Sequence, residues 1–416
     1  MKILCIDLKS FYASVECVMR GIDPFQVNLA VADRGRGLGS IVLAVSPHLK
    51  SLGAQSRCRI YDLERYPDVI YAMPRMRKYM DFACQVYNAY LEFVAPEDVH
   101  IYSIDEAFLD ITHYLQYYHW TPQEFATAIL QKIFTNTGLV ATCGIGDNMF
   151  QAKVALDCFA KSALNYIATL NDDDFIEKTK DLRPINQIWG IGGRIQKRLH
   201  FLNIHCLNDI IHMGAEVLRK EFGVIGEELF QHAQGIDTTT VTEARNYKPQ
   251  SKSFGHSQIM FEDYSVADMH TILMEHIDIL ATELVMKRLQ CQVICLGIGY
   301  SKEHHRGFGR QMKLPTPTNS REVLLEAFTK LYYKNVEDLP IRIIGARVTQ
   351  LTQEAHHQWN LFDNCERREK EHHLFDAIGR IQSRYGIKAV NMSISYLPKA
   401  TKIMRSRLIG GHNAES

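Results

Sequence analysis

His100-Ile-Tyr-Ser-Ile-Asp-Glu-Ala-Phe-Leu-Asp-Ile111 is the most informative stretch of this chain. Apolar, β-prone residues lead up to Ile104, two acids follow, and a second apolar run leaves the pair. This pattern predicts a tight β-hairpin with Asp105 and Glu106 at its tip. Adjacent buried carboxylates repel each other, so such a tip usually binds cations. A solvated turn is the alternative for a single acidic pair.

A third carboxylate comes from the start of the chain. Lys2-Ile-Leu-Cys-Ile6 is a short apolar strand that ends at Asp7, and a helix is predicted over about residues 10–20. Two strand ends that bring Asp7 beside the hairpin acids would make a hard-oxygen cluster suited to Mg²⁺. Two such ions can activate an attacking oxygen and neutralise a leaving pyrophosphate. A capping Asp next to a surface turn is the alternative.

The chain contains the motifs Asp7-x-x-x-Phe-Tyr-Ala-Ser-x-Glu16 and Ser103-Ile-Asp-Glu-Ala-Phe-Leu-Asp110. Together they resemble the Y-family, translesion DNA polymerases, and the UmuC-like branch is the most similar. The resemblance runs in collinear order from Met1 to about Phe362. It implies an α+β multidomain protein, a right-hand polymerase with a palm, small fingers, a helical thumb carrying a helix–hairpin–helix, and a split-βαβ little finger.

The composition is that of an ordinary globular protein. The 416 residues are 46% hydrophobic and 23% charged, enough for roughly two to four domains. No apolar run reaches membrane-spanning length and Met1-Lys2 leads directly into a strand, so we expect a cytoplasmic protein with no membrane partner. The ten cysteines lack zinc-ligand spacing, which predicts reduced thiols. A net charge of zero argues mildly against nucleic acid, but a polymerase needs only local basic surface.

The predicted elements and the resemblance divide the chain into domains. The predicted boundaries are residues 1–20 and 75–165 for the palm, 21–74 for the fingers, 166–237 for the thumb, 238–251 for a linker, 252–352 for the little finger and 353–416 for a C-terminal tail. The palm sheet should be mainly antiparallel, with helices on one face. One palm helix is predicted from Pro122, with Thr121 as its N-cap. The little finger has the order β-α-β-β-α-β, a split βαβ.

The resemblance implies which residues perform catalysis. Asp7, Asp105 and Glu106 are the catalytic residues in this interpretation, and together with the Leu8 carbonyl they are the metal ligands. The expected cofactor is Mg²⁺, two ions per site, for which Mn²⁺ can substitute.

The resemblance also implies a nucleotide-binding set, and its members are Phe11, Tyr12, Lys50 and Lys153. Tyr12 corresponds to the steric gate that excludes a 2′-hydroxyl, with Phe11 packing beside it; a core aromatic is the alternative for Tyr12. Lys153 corresponds to a triphosphate-binding lysine, with Lys161 as a further candidate; an i, i+4 surface salt bridge to Asp157 is the alternative for Lys153.

Two positions near this set depart from the family pattern. Lys50 lies in Ser46-Pro-His-Leu-Lys-Ser-Leu-Gly53, which resembles the triphosphate-contacting helix of the fingers, but Pro47 stands where many relatives have a tyrosine. Lys9 stands where an acidic or amide residue is common.

Two regions are expected to bind DNA. Gly190, Gly192 and Gly193 allow a tight turn whose amides, beside Arg194, can face a phosphate. An ordinary helical turn is the alternative there. In the little finger the candidate phosphate contacts lie in several strands and a connecting loop; they are Lys252, Arg306, Arg310 and Arg347.

The tail contains Gln358-Trp-Asn-Leu-Phe362, a polar anchor followed by apolar residues that suits an extended peptide binding to a partner. Its position after the little finger resembles a sliding-clamp peptide with anchors at Gln358, Leu361 and Phe362; a linker tucked into a local pocket is the alternative. A charged helix over about residues 366–385 is expected to be solvated.

The sequence therefore predicts a low-fidelity, template-directed DNA polymerase that extends primers past damaged template bases by two-metal nucleotidyl transfer. The expected partners are primer-template DNA, deoxynucleoside triphosphates and a sliding clamp, and the protein is expected to be monomeric. One alternative is a catalytically silent DNA- and clamp-binding accessory protein. Another is a different palm-type phosphoryl-transfer enzyme, such as a nucleotide cyclase.

Overall fold

The structure is a computed structural model that describes residues 1–248, 253–304, 306–354 and 365–414, without the side chain of residue 365. It consists of two compact units, Met1–Lys248 and Pro249–Ala414. The predicted DNA contact Lys252 and the predicted clamp peptide 358–362 lie outside the described residues. Over the described ranges, no helix is both long and apolar enough to span a bilayer.

The first unit begins with the palm and the fingers. Its elements are, in order, β1 (Ile3–Leu8), α1 (Phe11–Met19), β2 (Leu29–Val31), β3 (Ala44–Val45), α2 (Pro47–Ser51), β4 (Ile70–Ala72), α3 (Met76–Leu91), β5 (Val99–Ile101), β6 (Glu106–Asp110), α4 (Tyr114–Tyr118), α5 (Pro122–Thr137), β7 (Ala141–Gly146), α6 (Met149–Val154), β8 (Ile167–Thr169), α7 (Phe175–Thr179), α8 (Gly193–Phe201), α9 (Leu207–Met213), α10 (Ala215–Phe222), α11 (Val224–Ala233) and α12 (Val241–Asn246). The predicted start of α5 is confirmed, because the Thr121 side chain accepts a hydrogen bond from the Glu124 amide and Pro122 follows it.

The palm sheet has the strand order β5-β6-β1-β7-β8, and only the β7–β8 pair is parallel. Its helices cover both faces rather than the single face that we predicted. Ile3 and Cys5 pack against residues of α6, while Leu4 and Ile6, on the opposite face, are also fully buried. The reason is visible in β1 itself, which is apolar at successive positions and so suits a strand buried on both sides.

Helix α6 lies directly on the backbone of β7. A Cβ atom at Gly144 would lie 2.0 Å from the Ala152 carbonyl oxygen, and one at Gly146 would lie 2.3 Å from the Ala152 amide nitrogen. The Asn148 side chain caps the helix by accepting a hydrogen bond from the Gln151 amide at 2.8 Å. This close approach fixes the distance between α6 and the strand.

The fingers and the thumb each have a separate core. The fingers contain a small sheet of order β3-β2-β4 whose buried side chains include Val42, Val45 and Leu49. The thumb consists of the short helices α7 to α11 around its own apolar cluster. The predicted linker contains helix α12, whose Val241 is buried against the palm strands.

The second unit contains β9 (Ser253–Tyr264), α13 (Val266–Met286), β10 (Leu289–Tyr300), β11 (Gly307–Thr318), α14 (Arg321–Asn335), β12 (Ile341–Gln353), α15 (Cys365–Tyr385), α16 (Lys402–Arg405), β13 (Leu408–Ile409) and β14 (His412–Asn413). The first six elements form the predicted split βαβ, with an antiparallel sheet of order β11-β10-β12-β9. One face of this sheet packs with α13 and α14, and the other carries a row of glycines.

The tail packs against the second unit. Helix α15 lies along α13, with Phe375 and Ile378 buried. A Cβ atom at Gly379 would lie 2.3 Å from the Met286 sulfur, so the two helices approach closely. The prediction that this charged helix is solvated is therefore wrong for one of its faces, because a few apolar residues among many charges were enough to bury it.

A buried carboxylate joins the last part of the tail to α13. Glu275 is fully buried and accepts backbone N–H bonds from Thr401 and Lys402, both at 3.0 Å, as well as the Thr401 hydroxyl at 3.1 Å. Its neighbour His276 is also fully buried, and neither of its ring nitrogens has a hydrogen-bond partner among the described residues. Burial, followed by the charges of Arg405 and His256, lowers the pKa of His276 to about 3.

Candidate active site

Strand pairing brings the three predicted catalytic acids to one end of the palm sheet. Asp7, near the end of β1, lies directly opposite Glu106, the first residue of β6. The Leu8 amide donates a hydrogen bond to the Asp105 carbonyl at 3.0 Å, so the third acid adjoins the other two. The Ser103 hydroxyl donates to the Asp105 carboxylate at 2.6 Å and orients it.

The donor chemistry of this cluster fits a divalent cation such as Mg²⁺, because carboxylate and carbonyl oxygens are its preferred protein ligands. The three side chains are nevertheless not gathered around one point. In the part of the chain that the structure describes, no three His, Cys, Asp or Glu side chains are close enough together to hold a metal ion. Glu106 and Asp7 instead have lysine partners.

Two lysines neutralise the cluster. The Lys153 ammonium lies 2.7 Å from a Glu106 oxygen and 2.9 Å from an Asp157 oxygen. The Lys161 ammonium lies 3.0 Å from Asp7 and 2.7 Å from the same Asp157 carboxylate. The Lys153 side chain is only 8% exposed, so its pair with Asp157 is not the surface salt bridge considered above. Asp157, which the sequence marked only as a helical neighbour, bridges the two lysines.

The electrostatic balance of the cluster follows from burial and charge. Burial raises the pKa of Asp7, and so do the neighbouring Asp105 and Glu106, while Lys161 opposes the rise. Burial alone would lower the pKa of Lys153, but its acidic partners raise it above the ordinary value. Lys153 is therefore charged at neutral pH, and its cation holds Glu106 in place.

Tyr12 lies beside these acids on α1. Its ring packs against Tyr79, with ring centroids 4.7 Å apart, and against Phe11 at 5.5 Å. Phe11 is itself buried, as expected for a packing residue. Burial, followed by the charge of Asp105, raises the pKa of the Tyr12 phenol, which is consistent with a position near the catalytic acids.

A buried ion pair behind Tyr12 was missed in the sequence. The Glu16 side chain is fully buried and accepts hydrogen bonds from the Arg75 guanidinium at 2.9 and 2.7 Å and from the Tyr79 hydroxyl at 2.9 Å. Burial works against ionised Glu16, but these donors lower its pKa overall. A glutamate inside an otherwise apolar helix was the available signal. Arg20, four residues along, also pairs with it, whereas Arg75 and Tyr79 come from a distant segment.

Lys50 and Lys9 are two further cations of the first unit. Lys50 is exposed on α2, a helix that begins at Pro47 and is capped by the Ser46 hydroxyl. The Lys9 ammonium lies 4.1 Å from the centroid of the Tyr166 ring. It also donates a hydrogen bond to the Lys161 carbonyl at 3.3 Å.

The predicted DNA contacts of the thumb lie on an exposed turn. Gly190 has φ +88°, a conformation that favours glycine, and Gly192 and Gly193 lead into α8 with nothing near their Cβ positions. Arg194 is exposed in the first turn of that helix.

The open face of the second unit's sheet forms a shallow groove of about 520 Å³. Gly309, Gly297 and Gly345 are paired in register across three strands and form its floor. Arg310 and Arg347 border this groove. Arg306, a third candidate in this unit, forms an ion pair with Glu337 at 2.6 Å.

Comparisons with known proteins support one family along most of the chain. Residues 6–157 match the impB/mucB/samB family, and residues 251–361 match the C-terminal domain of that family. Residues 186–237 match a thumb domain described for DNA polymerase-iota.

Relatives cover nearly the full chain. The Bacillus subtilis protein UvrX, named for repair of UV damage, is 33% identical over 99% of this chain and 97% of its own length. DNA polymerase IV 2 of the same species is 30% identical over 99% and 98% of the two chains. DNA polymerase IV of Bacteroides fragilis is 30% identical over 85% and 94%.

The fold has a counterpart among solved structures. A Y-family DNA polymerase chimera of Dbh and Dpo4 superposes with a TM-score of 0.66 and covers 85% of this chain and 100% of its own. At 22% identity this likeness supports the α+β polymerase fold alone.

Proposed function

This chain belongs to the Y-family of translesion DNA polymerases and is a DNA-directed DNA polymerase, and from that premise we propose that it extends primers past damaged template bases by low-fidelity, two-metal nucleotidyl transfer. The observation that carries this proposal is that Asp7, Asp105 and Glu106 lie at the same end of the palm sheet. Acids contributed by two paired strands supply fixed negative charge where a polymerase needs cations.

In this proposal Asp7 and Asp105 would hold two Mg²⁺ ions, with Glu106 and the Leu8 carbonyl as further ligands, and Mn²⁺ would substitute. Bound there, the ions would supply activation of the primer 3′-hydroxyl and neutralisation of the pyrophosphate. The hydrogen bond from Ser103 to Asp105 supports this assignment because it limits the rotation of a ligating carboxylate.

In this proposal Lys153 and Lys161 interact first with the carboxylates and then with the nucleotide. Lys153 and Lys161 neutralise Glu106 and Asp7 and so reduce the repulsion between neighbouring carboxylates. On flexible stems, the same ammonium groups would turn to the triphosphate oxygens of a bound nucleotide. Lys50, exposed on the fingers, would contact the same phosphates.

Tyr12 is the proposed sugar selector. Its ring is supported from behind by Tyr79, whose hydroxyl is bonded to the buried Glu16. A ring held on a fixed support can exclude a 2′-hydroxyl by contact, because it cannot retreat without breaking these interactions. Selection against ribonucleotides therefore depends on the packing of α1 against α3.

The proposed DNA contacts lie in both units. The exposed Gly190–Gly193 turn with Arg194 would bind a phosphate of the duplex backbone, and Arg306 and Arg310 would act from the little finger. The glycine floor of the sheet groove allows a sugar–phosphate chain to approach the strand backbone. Lys252 and the sliding-clamp anchors Gln358, Leu361 and Phe362 remain predictions, as does the monomeric state.

The proposal of low fidelity is supported by the size of the fingers. Their sheet has strands of only two or three residues, and their apolar core is a single small cluster. Small fingers provide few contacts with which to test the shape of a nascent base pair. They also leave room for a damaged template base.

Primer extension tests the proposal against the alternative of a catalytically silent accessory protein, in which the ion pairs of Lys153 and Lys161 with Glu106 and Asp7 would be permanent. The intact chain, Asp105→Ala and the exposed-acid control Asp173→Ala would be compared on a defined template over a Mg²⁺ titration, with each nucleotide supplied singly.

We expect templated, Mg²⁺-dependent extension by the intact chain and the control, and none by Asp105→Ala. In the same assay Tyr12→Ala should raise ribonucleotide use by roughly tenfold or more, since steric exclusion is lost. Tyr12→Phe, which keeps the ring, should not. Tight primer-template binding without extension by the intact chain would favour the accessory protein, and neither binding nor extension would contradict both candidates.

A further inference from the structure

We propose that Lys9, held in place by Tyr166, is an additional triphosphate-binding cation on the pyrophosphate side of the active site. This inference rests on the proposed function, because it assigns a further specificity residue to the same nucleotide site. Lys9 follows the metal-ligand candidates Asp7 and Leu8 directly in the chain. Its side chain is half-buried, and its surroundings differ from those of an ordinary surface lysine.

The first observation is how the Lys9 ammonium is held. It lies 4.1 Å from the centroid of the Tyr166 ring and donates to the Lys161 carbonyl at 3.3 Å. A cation over an aromatic face is attracted by the ring and so loses rotational freedom. The backbone is equally constrained, since the Lys9 amide donates to Val140 at 2.9 Å and its carbonyl accepts from the Ser14 hydroxyl at 2.6 Å.

The second observation concerns Tyr166 itself. Its φ is +58°, in the left-handed region that bulky side chains rarely adopt. The surrounding structure maintains this conformation, because the Tyr166 amide donates to Ala163 at 3.1 Å and its carbonyl accepts from Cys143 at 2.8 Å. Strained residues of this kind persist where neighbouring structure fixes them, often at functional sites. The conformation presents the ring to Lys9.

The third observation concerns the charges around the Lys9 ammonium. Lys50 and Lys161 repel it, and Asp7 is the acid that attracts it. Asp7 is already paired with Lys161 at 3.0 Å. The Lys9 ammonium therefore lies near two other lysines, and the acid that attracts it is already paired with one of them. Gathering like charges is unfavourable unless an anion joins them, and a polyphosphate is the anion that this enzyme class brings there.

Lys161 and Lys9 differ in the partners of their ammonium groups. Lys161 is bound to Asp7 and Asp157, so its ammonium is shared with the acids. Lys9 touches only a ring face and a neutral carbonyl among the described residues, so its charge is available to a ligand. A cation at this place stabilises the bound triphosphate and the released pyrophosphate alike. It should therefore act on binding more than on the chemical step.

The test uses the full chain and single-nucleotide incorporation on a primer-template. Lys9→Met removes the charge at similar length, Lys9→Arg keeps the charge, and Lys132→Met on α5 is the control for loss of a surface lysine. We expect Lys9→Met to raise the nucleotide KM and the pyrophosphate inhibition constant together, each roughly tenfold, as for loss of one charge-assisted contact. Its kcat and its affinity for primer-template should stay within about threefold, and Lys9→Arg should restore both constants.

Two Tyr166 variants separate the ring from the backbone conformation. Tyr166→Phe keeps the ring and should match the intact chain, whereas Tyr166→Gly suits the left-handed conformation but removes the ring. The glycine variant should raise the nucleotide KM by roughly threefold without loss of thermal stability. Equal KM values for Phe and Gly would overturn the positioning role of Tyr166.

Other outcomes also decide the matter. An unchanged nucleotide KM in Lys9→Met, or a weaker primer-template affinity in its place, would overturn the inference while leaving the polymerase intact. If the intact chain extends no primer, the proposed function fails by itself. Binding of inorganic tripolyphosphate, measured by calorimetry, then still tests Lys9: affinity must fall in Lys9→Met and be retained in Lys9→Arg and Lys132→Met.

Discussion

The active-site acids and Glu275 are all carboxylates removed from water, yet their partners differ. Asp7 and Glu106 keep side-chain exposures of 19% and 11%, and their partners are ammonium groups at the ends of flexible side chains. Glu275 is fully buried, and its partners are the backbone amides of Thr401 and Lys402. A lysine can turn away and be replaced by a metal ion, whereas a backbone amide can leave only if the tail unwinds.

This difference separates function from stability. A carboxylate with exchangeable partners can bind a cation or a substrate at little structural cost, since its neutralising groups remain nearby. A carboxylate bound by backbone amides fixes two segments of chain to each other, and its loss leaves buried donors unsatisfied. Substitutions in the two regions should therefore change different measurements.

The largest expected effect is on activity. Asp7→Asn should reduce templated extension by roughly a thousandfold or more, because it removes a charge that must balance the cations of the reaction. Its unfolding free energy should change by less than about 1 kcal/mol, since the carboxylate repels its acidic neighbours as well as attracting Lys161. Single-turnover incorporation and denaturant unfolding would measure the two quantities. A large loss of stability in Asp7→Asn would contradict the conclusion that this carboxylate serves activity rather than stability.

Glu275→Ala should affect stability rather than activity. We expect the second unit to lose about 4 kcal/mol of unfolding free energy, because two buried amides and a hydroxyl lose their acceptor. The exposed Glu326→Ala on α14 is the matched control. Proteolysis within residues 387–414 would report release of the tail. Wild-type resistance of Glu275→Ala would contradict the role given to this carboxylate.

Glu16 is intermediate, because its donors are side chains but it is fully buried. Glu16→Gln should cost about 2–3 kcal/mol at neutral pH and should also increase ribonucleotide use, since Tyr79 supports Tyr12. The pKa of Glu16 is lower in the folded protein than its ordinary value of 4.5. Its contribution is therefore complete above that pH and lost as pH falls below it, so the intact chain and the variant should converge in acid. A constant difference would argue against an ionised Glu16.

The smallest expected effect is that of His276 on the stability of the second unit, and it becomes visible only as the pH falls. Its pKa of about 3 in the folded protein lies below the ordinary 6.5, so the unfolded chain binds a proton that the folded chain does not. Stability is thus complete above pH 6.5 and declines as pH falls below it. Between pH 7 and 5 the second unit should lose up to about 2 kcal/mol through this group, and His276→Leu should abolish that loss. Parallel pH profiles would contradict this assignment.

The sequence predicted best what depends on local pattern. The hairpin acids, the Thr121 cap and the split βαβ follow from alternation and helical spacing. The proximity of Asp7 to Glu106 required strand pairing, which the resemblance indicated. The catalytic and DNA-binding roles of these residues remain predictions.

Contacts between distant segments could not be predicted from the sequence. Arg75 and Glu16 are 59 residues apart, and Thr401 and Glu275 are 126 apart. Neither pair has a periodic signal, because a polar partner can come from any element that the fold brings near. Burial of Lys153 was missed for a similar reason, as it depends on how closely α6 approaches β7.

The contact of α6 with Gly144 and Gly146 has a consequence for variant libraries. The nearest obstructing atoms are the backbone carbonyl oxygen and amide nitrogen of Ala152 in α6, which cannot rotate aside as a side chain can. Saturation mutagenesis should find both codons intolerant even of alanine, although neither glycine bears a functional group. Loss of activity at these positions would reflect displacement of the helix that carries Lys153. A screen that scores activity alone would thus identify both positions as catalytic, although their only requirement is the absence of a Cβ atom.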